Sequence, residues 1–156
     1  MAKPRDVRRL ALLALYQIDA RGGETDVEDV IASLESCENL IDEVDGQRFL
    51  DEPVQFTKRD RTRALDTAVG AWRNRETADR DLAAIAPAWP PGRQAPMDRA
   101  ILRLAHYELT QTPSPPRAAI NEAVELAKTF STSRSPAFIN GVLSKVTPAD
   151  APASAE

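Results

Sequence analysis

The chain holds a single cysteine, Cys37, a single histidine, His106, and only 5% aromatic residues. One cysteine excludes an internal disulfide framework, and the pair together is too few for a Cys/His zinc site. Cys37 stands in an acidic stretch, an environment that disfavours a reactive thiolate. No apolar run approaches the roughly 18 residues that a membrane span needs. Nor is there a Walker loop, a GxGxxG turn, a GxSxG elbow or a metal triad. An enzyme is therefore not expected, and neither is a cofactor. The N-terminal "MAKPRDVRRLALLALYQIDA" has the basic start and apolar stretch of a signal peptide. Asp6 and Asp19 interrupt it, however, and no small-residue cleavage site follows, so it reads as the first helix of a cytoplasmic protein.

What is present is ordinary in amount and uneven in placement. Apolar residues make up 42% of the 156-residue chain and charged ones 28%, with a net charge of −4. Residues 35–52, "ESCENLIDEVDGQRFLDE", are acidic with Arg48 as the only base. The first nine residues instead carry Lys3, Arg5, Arg8 and Arg9 against Asp6 alone. A basic arm on an acidic body can hold a polyanion at one end only.

Hydrophobic periodicity predicts helices throughout and no strand. The first spans about Pro4 to Asp19, with Val7, Leu10, Ala11, Ala14, Leu15 and Ile18 as its core stripe. Arg5, Arg9, Leu12, Leu13 and Tyr16 fall on the opposite side, a face that can turn arginines and a phenol ring toward a ligand. Gly22-Gly23 stops this helix. "TDVEDVIASLESCENLI" follows as a second helix, and the acidic stretch up to Pro53 reads as a surface loop. "KRDRTRALDTAVGAWRNRETADRDLAAIAPAW" gives a third helical region with a break near Arg73 to Thr77. Its stripes are Leu65, Val69, Trp72 and then Leu82, Ile85, Trp89. "PAWPPGRQAP" separates the two halves.

The second half opens with a central helix, "MDRAILRLAHYELTQT". Ile101, Leu102, Ala105 and Leu109 form its core face, and Arg99, Arg103 and His106 lie on its polar side, His106 as a solvated surface residue. "NEAVELAKTF" is a short helix capped by Asn121. Ser135-Pro136 reads as an N-cap followed by proline at the first helical position. Asn140-Gly141 is a hairpin signal in isolation. Yet Phe138, Ile139, Val142, Leu143 and Val146 are spaced 0, 1, 4, 5 and 8, so the pair is helical. Gly141 is then expected where a neighbouring helix comes close, which would compensate its poor helix propensity. Beyond Thr147 the composition predicts a disordered tail, 147–156. The fold class is all-α, with six or seven helices in two halves, about 4–89 and 96–146, of one domain over 1–146.

"RLALLALYQID" (9–19), "DRAILRLAHYEL" (98–109), "AINEAVELAKTF" (119–130) and "SPAFINGVLSKV" (135–146) together resemble the NusB transcription antitermination family, in that family's order. The resemblance implies that each half is a small helical bundle, and that the protein binds the boxA element of ribosomal RNA leader transcripts together with NusE, a small-subunit ribosomal protein. It further implies a pair that loads onto RNA polymerase with other Nus factors and suppresses termination. A related domain heads certain ribosomal RNA cytosine methyltransferases, but a chain ending at residue 156 leaves no room for their catalytic part. Lys3, Arg5, Arg8, Arg9 and Arg134 are the expected phosphate contacts. Tyr16 and Phe138 are the expected stacking residues, Phe138 because it matches a family position associated with RNA contact. Relative to the family the arginine cluster is thin, the acidic stretch is long, and Arg134 stands where many relatives place an acidic residue. A protein–protein adaptor of the same fold, without strong RNA binding of its own, is the alternative reading.

Overall fold

A computed structural model describes residues 2–23, 29–30 and 55–148. The described residues contain no strand, and the fold is all-α. The chain divides into two compact units, residues 1–72 and 73–156. The proline-rich segment 87–96 therefore lies inside the second unit.

In the first unit, α1 runs Pro4–Ala20. Proline at its first position needs no hydrogen-bond partner for the missing N–H. The Lys3 amide donates to Asp6 Oδ2 at 2.8 Å, so Asp6 secures the start of the helix rather than interrupting the basic arm. Leu10, Ala11, Ala14, Leu15 and Ile18 are buried as the periodicity predicts, and Leu12 and Arg9 are buried with them. The end of α1 is a glycine stop in full. The Gly23 amide donates to Ile18 O at 2.9 Å and that of Gly22 to Asp19 O at 3.0 Å. Both glycines have positive φ, 70° and 83°, which L side chains resist. Gly23 is constrained a second time, because a Cβ there would come within 2.6 Å of Trp72 Cζ2.

The expected second helix is outside the described residues except for Asp29 and Val30, which are helical with Val30 buried. The acidic stretch and most of the expected tail are likewise outside them. The next described helix, α2, spans Lys58–Arg73. Its buried stripe is Ala64, Ala68 and Ala71, while the expected stripe of Leu65, Val69 and Trp72 is only half-buried. The two stripes are adjacent, and the smaller side chains face inward because they permit closer helix approach.

The helical region breaks at Asn74, within the stretch where the sequence predicts it, and the second unit begins at Arg73. It contains α3 (Arg75–Ile85), a single 3₁₀ turn (Pro91–Arg93), α4 (Pro96–Gln111), α5 (Pro116–Phe130) and α6 (Ser135–Leu143). Helix α4 is central, packing on α3, α5 and α6, with every residue from Ala100 to His106 buried. Each fully buried leucine or isoleucine there contributes about 1.5–3 kcal/mol relative to exposure.

Several sequence expectations change in this unit. Asn121 is inside α5, not its cap, because Pro116 starts the helix with φ already set. Ser135 is the first residue of α6 and Arg134 its N-cap; the serine hydroxyl is turned to Asp98 instead. Trp89 leaves the core and is 52% exposed. His106 is fully buried, not solvated. Helix α3 covers the face of α4 that the sequence marks as polar, and supplies partners for it. Arg103 forms a bidentate pair with Asp79, Nε–Oδ1 at 3.0 Å and Nη2–Oδ2 at 2.7 Å. Asn74 Nδ2 donates to His106 Nδ1 at 3.0 Å, which leaves the ring proton on Nε2, 2.9 Å from Asp81 Oδ2.

Asn140 and Gly141 are helical, within α6. The expected reason for the glycine is not met, since a Cβ on Gly141 would meet nothing within 4 Å. Gly141 therefore keeps its propensity cost without packing in return. Gly141→Ala should raise stability by up to about 1 kcal/mol, read as a higher denaturation midpoint at unchanged slope. A fall in the midpoint would reveal a neighbour that the fold does not show.

Candidate nucleic-acid interface

The expected contact residues fall in both units. In the first, α1 carries the basic arm at its N-terminal end. Lys3 and Arg5 are exposed, Arg8 and Tyr16 half-buried. Arg9 is turned into the fold at 5% exposure. Arg5 and Tyr16 thus lack the exposed guanidinium between them that would make one continuous line of contacts. Burial of Arg9 follows from its neighbours: Leu10, Ala11 and Leu12 are all buried, so α1 is enclosed over most of its girth at that level.

In the second unit, Arg134 and Phe138 share a cavity of about 440 Å³ with Trp89, Arg93, Gln94 and Asp98. The rings of Trp89 and Phe138 meet edge to face, with centroids 6.3 Å apart and planes at 65°, a favoured aromatic geometry. Phe138 is half-buried because it sits on α6 one turn after Arg134, at the edge of the stripe formed by Ile139, Val142 and Leu143. Trp89 arrives from the opposite direction, on the proline-rich segment between α3 and α4. Gln94 holds that segment by donating Nε2 to Trp89 O at 3.1 Å, and Arg99 Nη1 donates to Pro91 O at 3.2 Å.

One carboxylate fixes the floor. Asp98 lies in the first turn of α4, where the helix dipole favours negative charge. Its Oδ1 accepts from Ser131 Oγ, and its Oδ2 accepts from Ser135 Oγ at 3.0 Å. Ser135 Oγ is also 2.9 Å from both Ser131 Oγ and Thr132 Oγ1. Ser131 closes α5 and Ser135 opens α6. The connection that bears Arg134 is therefore clasped to the start of α4, and the hydroxyls are occupied as donors to Asp98.

The result is two aromatic rings, one of them largely exposed, beside two guanidinium groups. Such a surface can stack on an unpaired base while its arginines neutralise the flanking phosphates. Sequence reasoning finds Arg134 and Phe138 but misses Trp89, Arg93 and Gln94. The available signal was the composition of "AWPPGRQ", a tryptophan and an arginine in a segment that proline keeps out of helices. Among the described residues no cluster of side chains could hold a metal ion. No helix there is long and apolar enough to cross a membrane.

The model of the NusB family matches residues 5–148. The transcription antitermination protein NusB of Symbiobacterium thermophilum is 41% identical over 143 residues, covering 91% of this chain and 87% of the relative. That of Chloroflexus aggregans is 37% identical, covering 90% and 83%. Among solved structures, NusB of T. maritima superposes with a TM-score of 0.70 at 29% identity, covering 94% of this chain and 92% of that one. A structure of antitermination factors NusB and NusE in complex with dsRNA gives a TM-score of 0.69 at 23% identity, covering 91% and 93%.

Proposed function

This chain belongs to the NusB family, and from that premise we propose that it is a non-catalytic, RNA-binding transcription antitermination factor. It binds boxA of ribosomal RNA leader transcripts together with NusE. The pair joins RNA polymerase with the other Nus factors and promotes processive rRNA transcription. The observation that carries RNA contact by this chain's own residues is the cavity of Trp89, Phe138, Arg93 and Arg134, where stacking and phosphate neutralisation are available side by side. Lys3, Arg5 and Arg8 add phosphate contacts from the first unit, with Tyr16 further along α1. Arg9 takes a structural role.

The test is RNA binding with and without NusE, on a boxA oligonucleotide and a scrambled control. NusE should tighten binding to boxA more than to the scrambled strand, because a composite surface reads more bases than this chain does alone. Burial of Arg9 thins the arm further and gives the adaptor reading its one structural support. NusE binding that persists while boxA and scrambled RNA bind equally poorly, with and without NusE, would establish the adaptor.

A further inference from the structure

The first six residues of α2, "KRDRTR", contain four cations and one carboxylate. This is the positive end of the helix dipole, where cations are unfavourable and acidic residues stabilise. The dipole is served by Asp60 alone. The Thr57 amide donates to Asp60 Oδ2 at 2.9 Å, and the Asp60 amide donates to Thr57 Oγ1 at 3.1 Å, closing a reciprocal cap. The Thr57 amide foremost, and then the Thr57 hydroxyl, hold the Asp60 carboxyl below the usual carboxylate range by hydrogen bonding, with Arg63 and Arg59 adding to the effect. Arg61 is committed as well, its Nη1 donating to Phe56 O at 3.0 Å.

Lys58, Arg59 and Arg63 remain, all exposed. Arg59 and Arg63 are four residues apart and so share one side of the helix. None of the three forms a side-chain hydrogen bond or ion pair with another described residue. Around them Gln55, Thr57, Thr62 and Asp66 are exposed too, so among the described residues this surface is polar and presents no large exposed apolar side chain to insert into a lipid layer. Three cations at the unfavourable end of a helix, none of them bonded within its cap, gain a rationale when a polyanion lies across them.

We propose that Lys58, Arg59 and Arg63 form a second phosphate-contacting face of the first unit, one that holds the backbone of single-stranded RNA without reading its bases. This rests on the RNA-binding reading above, and it offsets an arm from which Arg9 is withdrawn.

The experiment replaces all three by glutamine (Lys58→Gln, Arg59→Gln, Arg63→Gln) and measures RNA affinity against salt in the presence of NusE. For single strands the log–log slope is about −0.7 per phosphate neutralised, so the variant's slope should flatten by up to about 2 units. Affinity for boxA and scrambled RNA should fall by the same factor, leaving their ratio unchanged. The denaturation midpoint should stay level or rise, since cations leave the positive end of α2. A variant with the parent's slope and affinity overturns the proposal while leaving RNA binding intact. A lowered midpoint with an unchanged slope assigns the three residues a structural role instead. A parent that binds no RNA with or without NusE overturns the functional reading itself, and this face with it. Parent binding to phosphatidylserine vesicles but not to RNA would move the face to a membrane surface.

Discussion

Trp89→Ala and Phe138→Ala should each weaken binding to boxA RNA by roughly 5- to 150-fold, the equivalent of about 1–3 kcal/mol for loss of one base–aromatic stack. The two effects should differ in their side consequences. Trp89 is largely exposed, so its removal should leave the denaturation midpoint nearly unchanged and act on affinity alone. Phe138 is half-buried and borders the α6 stripe, so some stability should be lost with it. Phe138→Leu separates the two, keeping apolar volume while removing the π-face. Both aromatic variants should retain the parent's salt slope, because no phosphate contact is lost. Arg93→Gln with Arg134→Gln should do the reverse, flattening the slope by up to about 1.4 units. Undiminished affinity in Trp89→Ala and Phe138→Leu together would remove the cavity from the RNA interface.

The largest effect on stability is expected at Asp79. Removing one partner of a buried ion pair leaves the other charge uncompensated, typically at 3–5 kcal/mol. Arg103 is 7% exposed, but the Asp79 side chain keeps about a quarter of its surface in water. Asp79→Ala should therefore cost about 2–3 kcal/mol, lowering Tm by roughly 5–10 °C for a chain of this size. Adding Arg103→Met in the same chain should recover much of that loss, since the charge that Asp79 balances goes with it. Equal stability of the single and double variants would mean that Arg103 reaches water once Asp79 is gone.

These two residues also mark where the sequence stops being legible. Phe138, Ile139, Val142, Leu143 and Val146 disclose α6 because their spacing is a local property of one helix. The same holds for α1 and for the glycines that end it. Burial of Arg103 and His106 is not local. It is decided by α3, some 25 residues upstream, whose Asp79 and Asp81, with Asn74 at its N-cap, turn a polar helix face into an interior one. Periodicity assigns such a face to solvent because it counts polarity and not partners. Arg9 is misjudged for the same reason, being placed on a ligand-facing side by its angle while its neighbours enclose it. The candidate cavity is half legible: Arg134 and Phe138 come from a recognisable helix, whereas Arg93 comes from a proline-rich connection without periodicity, and Trp89, whose spacing extends the stripe of Leu82 and Ile85, lies beyond the end of α3. Gly141 shows the opposite error, a packing role inferred from residue type where the surrounding space is open.

His106 is the chain's only histidine, and its ring is wholly enclosed between Asn74 on one nitrogen and Asp81 on the other. A protein with one imidazole gives one set of ring resonances, with nothing to assign. With Nδ1 accepting, the proton on Nε2 is withheld from exchange for as long as α3 stays seated on α4. That single signal works as a spectroscopic gauge of the second unit's integrity. With this chain alone isotope-labelled, it is readable without mutation while RNA and NusE are titrated in, and it distinguishes a ligand that only coats the surface from one that loosens the helices beneath it.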